Sequence, residues 1–89
     1  MNYLDYLQSP ENVAKLEEFY AFGVVSEAQY VHASILLEYI KLRQDHPKIT
    51  DDKCAFLLSN NPHYALTDES IKNIIKKAKK DRKNVPFRG

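Results

Sequence analysis

Three histidines, one cysteine, two acidic pairs and a run of lysines are the side chains of this 89-residue chain whose types and spacing bear on chemistry. His32, His46 and His63 are spread apart, and no two stand at the spacing that brings imidazoles to one helix face. No metal site is expected of them. His32 lies at the edge of an apolar stripe, where a satisfied, partly buried histidine is the expected role. His46 precedes Pro47 at a helix end, and His63 sits in a loop. Cys54 is the only cysteine, so no intrachain disulfide forms. It falls on the inward side of its helix, with nothing nearby in sequence to stabilise a thiolate. Asp51-Asp52 and Asp68-Glu69 each open a helix, where carboxylates complement the positive end of the dipole. Acid–base work would need them placed across a cleft. Gly23 and Gly89 are the only glycines, so no glycine-rich phosphate loop exists. The expectation is a protein without catalytic residues, metal or cofactor.

The lysines are a different matter. Net charge is +1, but it is unevenly spread. Residues 1–66 hold five Lys/Arg against nine Asp/Glu, a balance of −4; residues 67–89 hold eight against three, a balance of +5. An acidic body with a basic end points to an anionic partner, or else to a solvated helix end that complements its own dipole.

The elements that must position these charges are legible from capping signals and apolar periodicity. Tyr3, Leu4, Tyr6 and Leu7 form a helical turn or an extended arm that packs on the body. Ser9-Pro10-Glu11 starts a helix carrying Val13, Leu16 and Tyr20 inward, with Phe19 beside them, and Gly23 ends it. Ser26-Glu27-Ala28-Gln29 reads as a capping box, flanked by Val25 and Tyr30 as a hydrophobic staple. It opens the longest helix, over residues 27–45, which stops at His46-Pro47. The expected core stripe of that helix is Ala28, Val31, Ile35, Tyr39 and Leu42, widened by His32, Leu36 and Ile40. Tyr30 and Leu37 fall on its far face and are the candidate interface residues of a homodimer. Thr50 caps a third helix with Cys54, Leu57 and Leu58 inward and Phe56 toward a partner or the N-terminal arm. Ser59-Asn60-Asn61-Pro62 stops it, and Tyr64 and Leu66 anchor the following loop. Thr67 caps a fourth helix with Ile71, Ile74, Ile75 and Ala78 inward and Lys72, Lys76, Lys79 and Lys80 outward. The fold class is all-α, a small bundle of four main helices in one domain over residues 1–81, with 82–89 as a basic tail.

The segment KITDDKCAFLLSNNPHYALTDESIKNIIKKAKK, residues 48–80, resembles the small helix-turn-helix proteins of bacterial mobile elements. In these a polar turn precedes a threonine- or serine-capped helix like LTDESIKNIIKK. The likeness covers about a third of the chain. It implies a DNA-binding regulator or accessory factor, with residues 51–59 as scaffold and 68–80 as the groove helix. The connection Asn60–Leu66 is longer than the usual three- to four-residue turn. Asp68 and Glu69 occupy the first turn of the groove helix, and the positive charge gathers at its other end. That distribution favours phosphate contact over base reading. Ser70, Lys72, Asn73, Lys76, Lys79, Lys80, Arg82 and Lys83 are the nucleic-acid-binding candidates. About five phosphate contacts among the cations would give a salt slope of roughly −4 to −5. Arg88 in the tail is placed to reach a minor groove.

A protein-interaction module is the rival expectation, built on Tyr30, Leu37 and the acidic body, and a lysine-rich end also suits RNA or an acidic protein. MNYLDYLQ lacks the basic start and apolar run of a signal peptide, and no apolar stretch approaches the ~18 residues of a membrane span. A cytoplasmic location is expected.

Overall fold

Four short polar side chains set where helices begin in the computed structural model, which describes residues 2–80. Asn2 accepts from the Asp5 amide at 2.9 Å, and the Asp5 carboxylate accepts from the Asn2 amide at 3.2 Å. Ser26 Oγ accepts from the Gln29 amide at 3.2 Å, while Gln29 Oε1 accepts from Ser26 N–H at 2.9 Å. Thr50 and Thr67 accept from the amides of Lys53 and Ser70 at 3.1 and 3.2 Å. Each bond satisfies an amide that the first turn of a helix leaves without a partner. Ser9 makes no such bond; Pro10 at the first helical position, with its fixed φ and missing N–H, does the work there.

The resulting elements are α1 (Tyr3–Leu7), α2 (Pro10–Ala21), α3 (Glu27–Asp45), α4 (Asp51–Ser59) and α5 (Asp68–Ala78), with no strand among the described residues. The all-helical expectation and the bounds of the longest helix hold. The expectation of four main helices does not, because Tyr3–Leu7 closes into a capped helix of its own. Its Tyr3 and Leu7 are buried, so burial of two large side chains holds a helix too short to persist alone. Residues 81–89, with Arg82, Lys83 and Arg88, lie outside the described residues.

Helix α3 touches each of the other four helices and is the spine of the core. Its Ile35 and Leu36 pack with Leu16 of α2, Cys54 of α4, and Ile71 and Ile75 of α5 in one fully buried cluster. α4 and α5 share the most extensive contact of any pair. Small residues explain this closeness: Cys54 and Ala55 are fully buried on α4, as is Ala78 on α5. Several inward assignments shift by one or two positions. Leu57 and Tyr20 are 40% and 42% exposed, and Ala55 and Phe19 take their places against the core. On α2 the step inward from Leu16 is three residues rather than four. Tyr20 instead lays its ring on Tyr30, centroids 4.2 Å apart. Ala28 is exposed and Ala33 buried, so the stripe of α3 begins a turn later than its spacing implied.

α2 ends in a Schellman motif. The Val24 amide reaches Phe19 O at 2.8 Å and the Gly23 amide reaches Tyr20 O at 3.1 Å. Gly23 sits at φ +76°, and a Cβ added there would meet nothing within 4 Å. The cost of a side chain at this position is therefore backbone strain alone. Gly23→Ala is expected to lower stability by about 1 kcal/mol. In urea unfolding the midpoint should fall with the slope unchanged.

Candidate nucleic-acid interface

The chemistry-bearing helix is α5, and its sequence divides it into faces. Ile71, Ile75 and Ala78 are buried and Ile74 half-buried, all on the side that meets α3 and α4. Glu69, Asn73, Lys76 and Lys77 recur at steps of three and four on the opposite side, and all are exposed. Lys80, in the turn just beyond, extends the same exposed line.

Not all of the lysines project freely. Lys72 Nζ stands 3.4 Å from Asp52 Oδ1, and Lys79 Nζ is bonded to the Asp51 carboxylate. The expected outward row Lys72, Lys76, Lys79 and Lys80 is thus split, because α4 packs its acidic first turn beside one flank of α5. Among the described residues Lys76, Lys77 and Lys80 make no ion pair. Ser70 is half-buried and its hydroxyl accepts from that of Thr67 at 3.0 Å, which commits it to the helix cap. The Asn73 side chain is exposed and without a hydrogen bond among the described residues. Arg82 and Lys83 fall outside them.

Asp51 is the centre of a polar cluster at the junction of α3, α4 and α5. Tyr39 donates its hydroxyl to Asp51 Oδ1 at 2.7 Å, Lys79 bonds the other oxygen, and Arg43 Nη1 lies 4.0 Å away. Arg43 also donates to Ile49 O at 2.6 Å, bracing the segment that leads into α4. The Lys79 ammonium lies 5.9 Å from the centre of the Tyr39 ring. The Asn2 carboxamide donates to Lys79 O at 3.2 Å, which ties the chain's start to the end of α5. Partial desolvation pushes the Asp51 carboxyl up, but hydrogen bonds from Lys79 and Tyr39 and the charges of Lys79 and Arg43 outweigh it. Its pKa falls below the ordinary value. Lys79 is raised by its bond to Asp51, against a smaller opposing desolvation.

A groove of about 440 Å³ lies between the first half of α3 and α5. Tyr3, Leu36, Leu66, Ile74 and Ala78 give it an apolar floor, and Gln29, His32, Ser70, Asn73 and Lys77 line it with polar groups. Partial burial, and then the Lys77 ammonium, hold the His32 imidazole below its usual range, so it is neutral at pH 7. Cys54 is buried, and its thiol is pushed up by desolvation and by Asp51. It is a structural residue. No group of His, Cys, Asp and Glu able to hold a metal ion occurs among the described residues, and no helix there is long and apolar enough to cross a membrane.

Two residues of this region were not among the sequence candidates. Lys77 was readable, four positions after Asn73 on the same face. His32 was not, because its approach to α5 is tertiary. The interface candidates Tyr30 and Leu37 are half-buried and packed against the core rather than exposed, Tyr30 under the ring of Tyr20 from α2. Among the described residues the exposed large apolar side chains are Tyr20, Phe22, Val24, Phe56 and Leu57. Comparison of the chain with protein-family models, curated proteins and solved structures finds no match to any of them.

The Asp51 cluster and the Asp52–Lys72 pair differ in expected strength. Asp52 is mostly exposed, and such pairs contribute about 0–1 kcal/mol. Asp51 combines a tyrosine hydroxyl, a lysine and a helix N-terminus, so Asp51→Ala should cost about 1–2 kcal/mol and Asp52→Ala about 0.5 or less. Because the folded-state pKa of Asp51 is depressed, its contribution is present above the unfolded value near 4 and lost as pH falls through the folded one. Thermal melts across that acid range should therefore show a shallower loss of stability in Asp51→Asn than in the parent.

Proposed function

We propose that this chain is a small, non-enzymatic nucleic-acid-binding protein that meets a phosphate backbone with the outer face of α5. The observation that carries the reading is the division of lysines. Lys76, Lys77 and Lys80 stand on one broad exposed side with no carboxylate claiming them among the described residues, on a helix whose other side is fixed by buried isoleucines. Ammonium groups held so on a rigid support are suited to phosphate contact, and they release counterions when they make it. DNA is the partner this reading favours, with α4 as scaffold and α5 as contact helix of a helix-turn-helix-like pair. The close α4–α5 packing supports that form. Asp68 and Glu69 at the start of α5 repel phosphates, so contact is expected along its second half, as positioning rather than base readout. A role as a regulator or accessory factor of a mobile element is the form in which such a protein would act.

Lys72 and Lys79 have a separate part. Each is paired with an α4 carboxylate, so each holds α5 in place rather than contacting the ligand. Neutralising Lys76, Lys77 and Lys80 together to Gln should weaken binding to a fluorescent duplex and flatten the salt slope by about 2–3. Helical content should stay as it was. Lys79→Gln should lower the melting temperature while leaving the salt slope nearly unchanged. Absence of binding at low salt, or a slope indifferent to the triple change, contradicts the reading.

A second reading, self-association, rests on the turn between α2 and α3. Phe22 and Val24 are 76% and 65% exposed there, beside the Tyr20–Tyr30 ring pair. Apolar side chains gathered so on one turn are characteristic of contact surfaces. If the turn joins two copies, Phe22→Ser with Val24→Ser should convert a sedimenting dimer to monomer. A parent chain that sediments as monomer at high concentration contradicts this reading.

A further inference from the structure

We propose that the groove between α3 and α5 receives one unpaired nucleobase of a single strand whose neighbouring phosphates lie on Lys76, Lys77 and Lys80. This rests on the phosphate-contact reading above and takes a single strand, in place of the duplex of a helix-turn-helix, as the ligand.

The groove and the free lysine face are continuous. Lys77 belongs to both, and Asn73 stands at their border, on the exposed face and at the groove lining. A strand held by its phosphates along α5 thus passes the groove at the distance of a side chain. The lining has two parts. Its floor is apolar and mostly buried, with Leu36 at 1% exposure and Ala78 at 3%. A flat aromatic ring loses water contact there and gains packing. Its rim carries the carboxamides of Gln29 and Asn73 and the imidazole of His32. A carboxamide pairs a donor with an acceptor and matches the edge of a base, and an imidazole plane stacks on its face.

Charge narrows the ligand class further. The body of the chain is acidic, yet among the described residues no Asp or Glu lines this groove, and Lys77 is its one ionised group there. A cationic ligand has nothing to pair with. The His32 imidazole is neutral at pH 7, so it supplies a stacking surface and a hydrogen bond rather than a second charge. Neither the His32 nor the Asn73 side chain makes a hydrogen bond among the described residues, and both are exposed at the rim. Gln29 already gives its Oε1 to the α3 cap, which leaves its amide N–H groups for the ligand. A volume of about 440 Å³ falls within the range of small-molecule sites, about 300–1,000 Å³. That is room for a base with its sugar.

The test compares three labelled strands of equal length against the full chain at fixed low salt: oligothymidylate, an abasic deoxyribose-phosphate strand, and a duplex. Oligothymidylate is expected to bind about tenfold more tightly than the abasic strand, the gain of stacking about one base. Asn73→Ala and His32→Ala should each reduce that ratio toward one and leave abasic-strand affinity unchanged. Both side chains are exposed and off the helix caps, and circular dichroism checks that the variants fold. In the parent, NMR signals of the Asn73 carboxamide and the His32 ring should shift with oligothymidylate and stay in place with the abasic strand. Equal affinity for base-bearing and abasic strands, a ratio unmoved by both variants, or tighter binding of the duplex overturns the base site while leaving phosphate contact intact. Failure of all three strands to bind removes the nucleic-acid reading itself.

Discussion

The position of α5 depends on one carboxylate. Asp51 lies at the start of α4, accepts from Tyr39 of α3 and bonds Lys79 at the end of α5. A half-buried carboxylate is stable in such a place only when hydrogen bonds and opposite charge replace its lost water. Tyr39 and Lys79 supply these, and Arg43 adds a weaker charge at 4.0 Å. Three helices that meet mainly through apolar contact, which is non-directional, acquire a fixed register at this point, to which the exposed Asp52–Lys72 pair adds. The carboxamide of Asn2 on Lys79 O draws the short α1 into the same junction.

That constraint decides which charges the molecule keeps and which it offers. Apolar residues on one side of α5 anchor it, and the acids of α4 neutralise the lysines on the adjoining flank. Lys76, Lys77 and Lys80 remain on the outer line. The same packing opens a groove on the other flank, where α3 stands off from α5 and leaves a floor of Leu36, Leu66 and Ile74 beneath a polar rim. Ion-paired Lys79 and the unpaired Lys77 and Lys80 thereby stand one or two residues apart. In a bare charge count they look alike, but their surroundings differ by one helix turn of a neighbour.

Local signals in the sequence were strong and held. The Ser26–Gln29 capping box, the threonine caps at 50 and 67, Gly23 at the end of α2 and Pro47 after α3 are interactions within a few residues of the chain, so adjacent letters record them. The inward stripe of α5 held for the same reason, since its isoleucines recur with helical spacing against strongly polar neighbours. The stripe of α2 shifted by one residue and that of α4 by two. There, apolar side chains occur all round the helix, and only the neighbouring helices decide which of Phe19 and Tyr20, or Ala55 and Leu57, is covered. The candidate site was half legible. Lysines on α5 could be read, but Asp51 and Lys79 are 28 residues apart, and no local pattern joins them. Asp51 and Asp52 were read as dipole partners of α4, which they are, and their second role toward α5 arises only when the helices pack. His32 meets α5 in the same long-range way.

NMR titration of the Lys79 side-chain ammonium, in the parent and in Asp51→Asn, reaches the centre of this account most directly. The account predicts a pKa above the ordinary lysine value in the parent, falling back when the carboxylate is removed. An ammonium that titrates as an ordinary lysine in both proteins would contradict it, and Lys79 would then join the outer face as one more free charge.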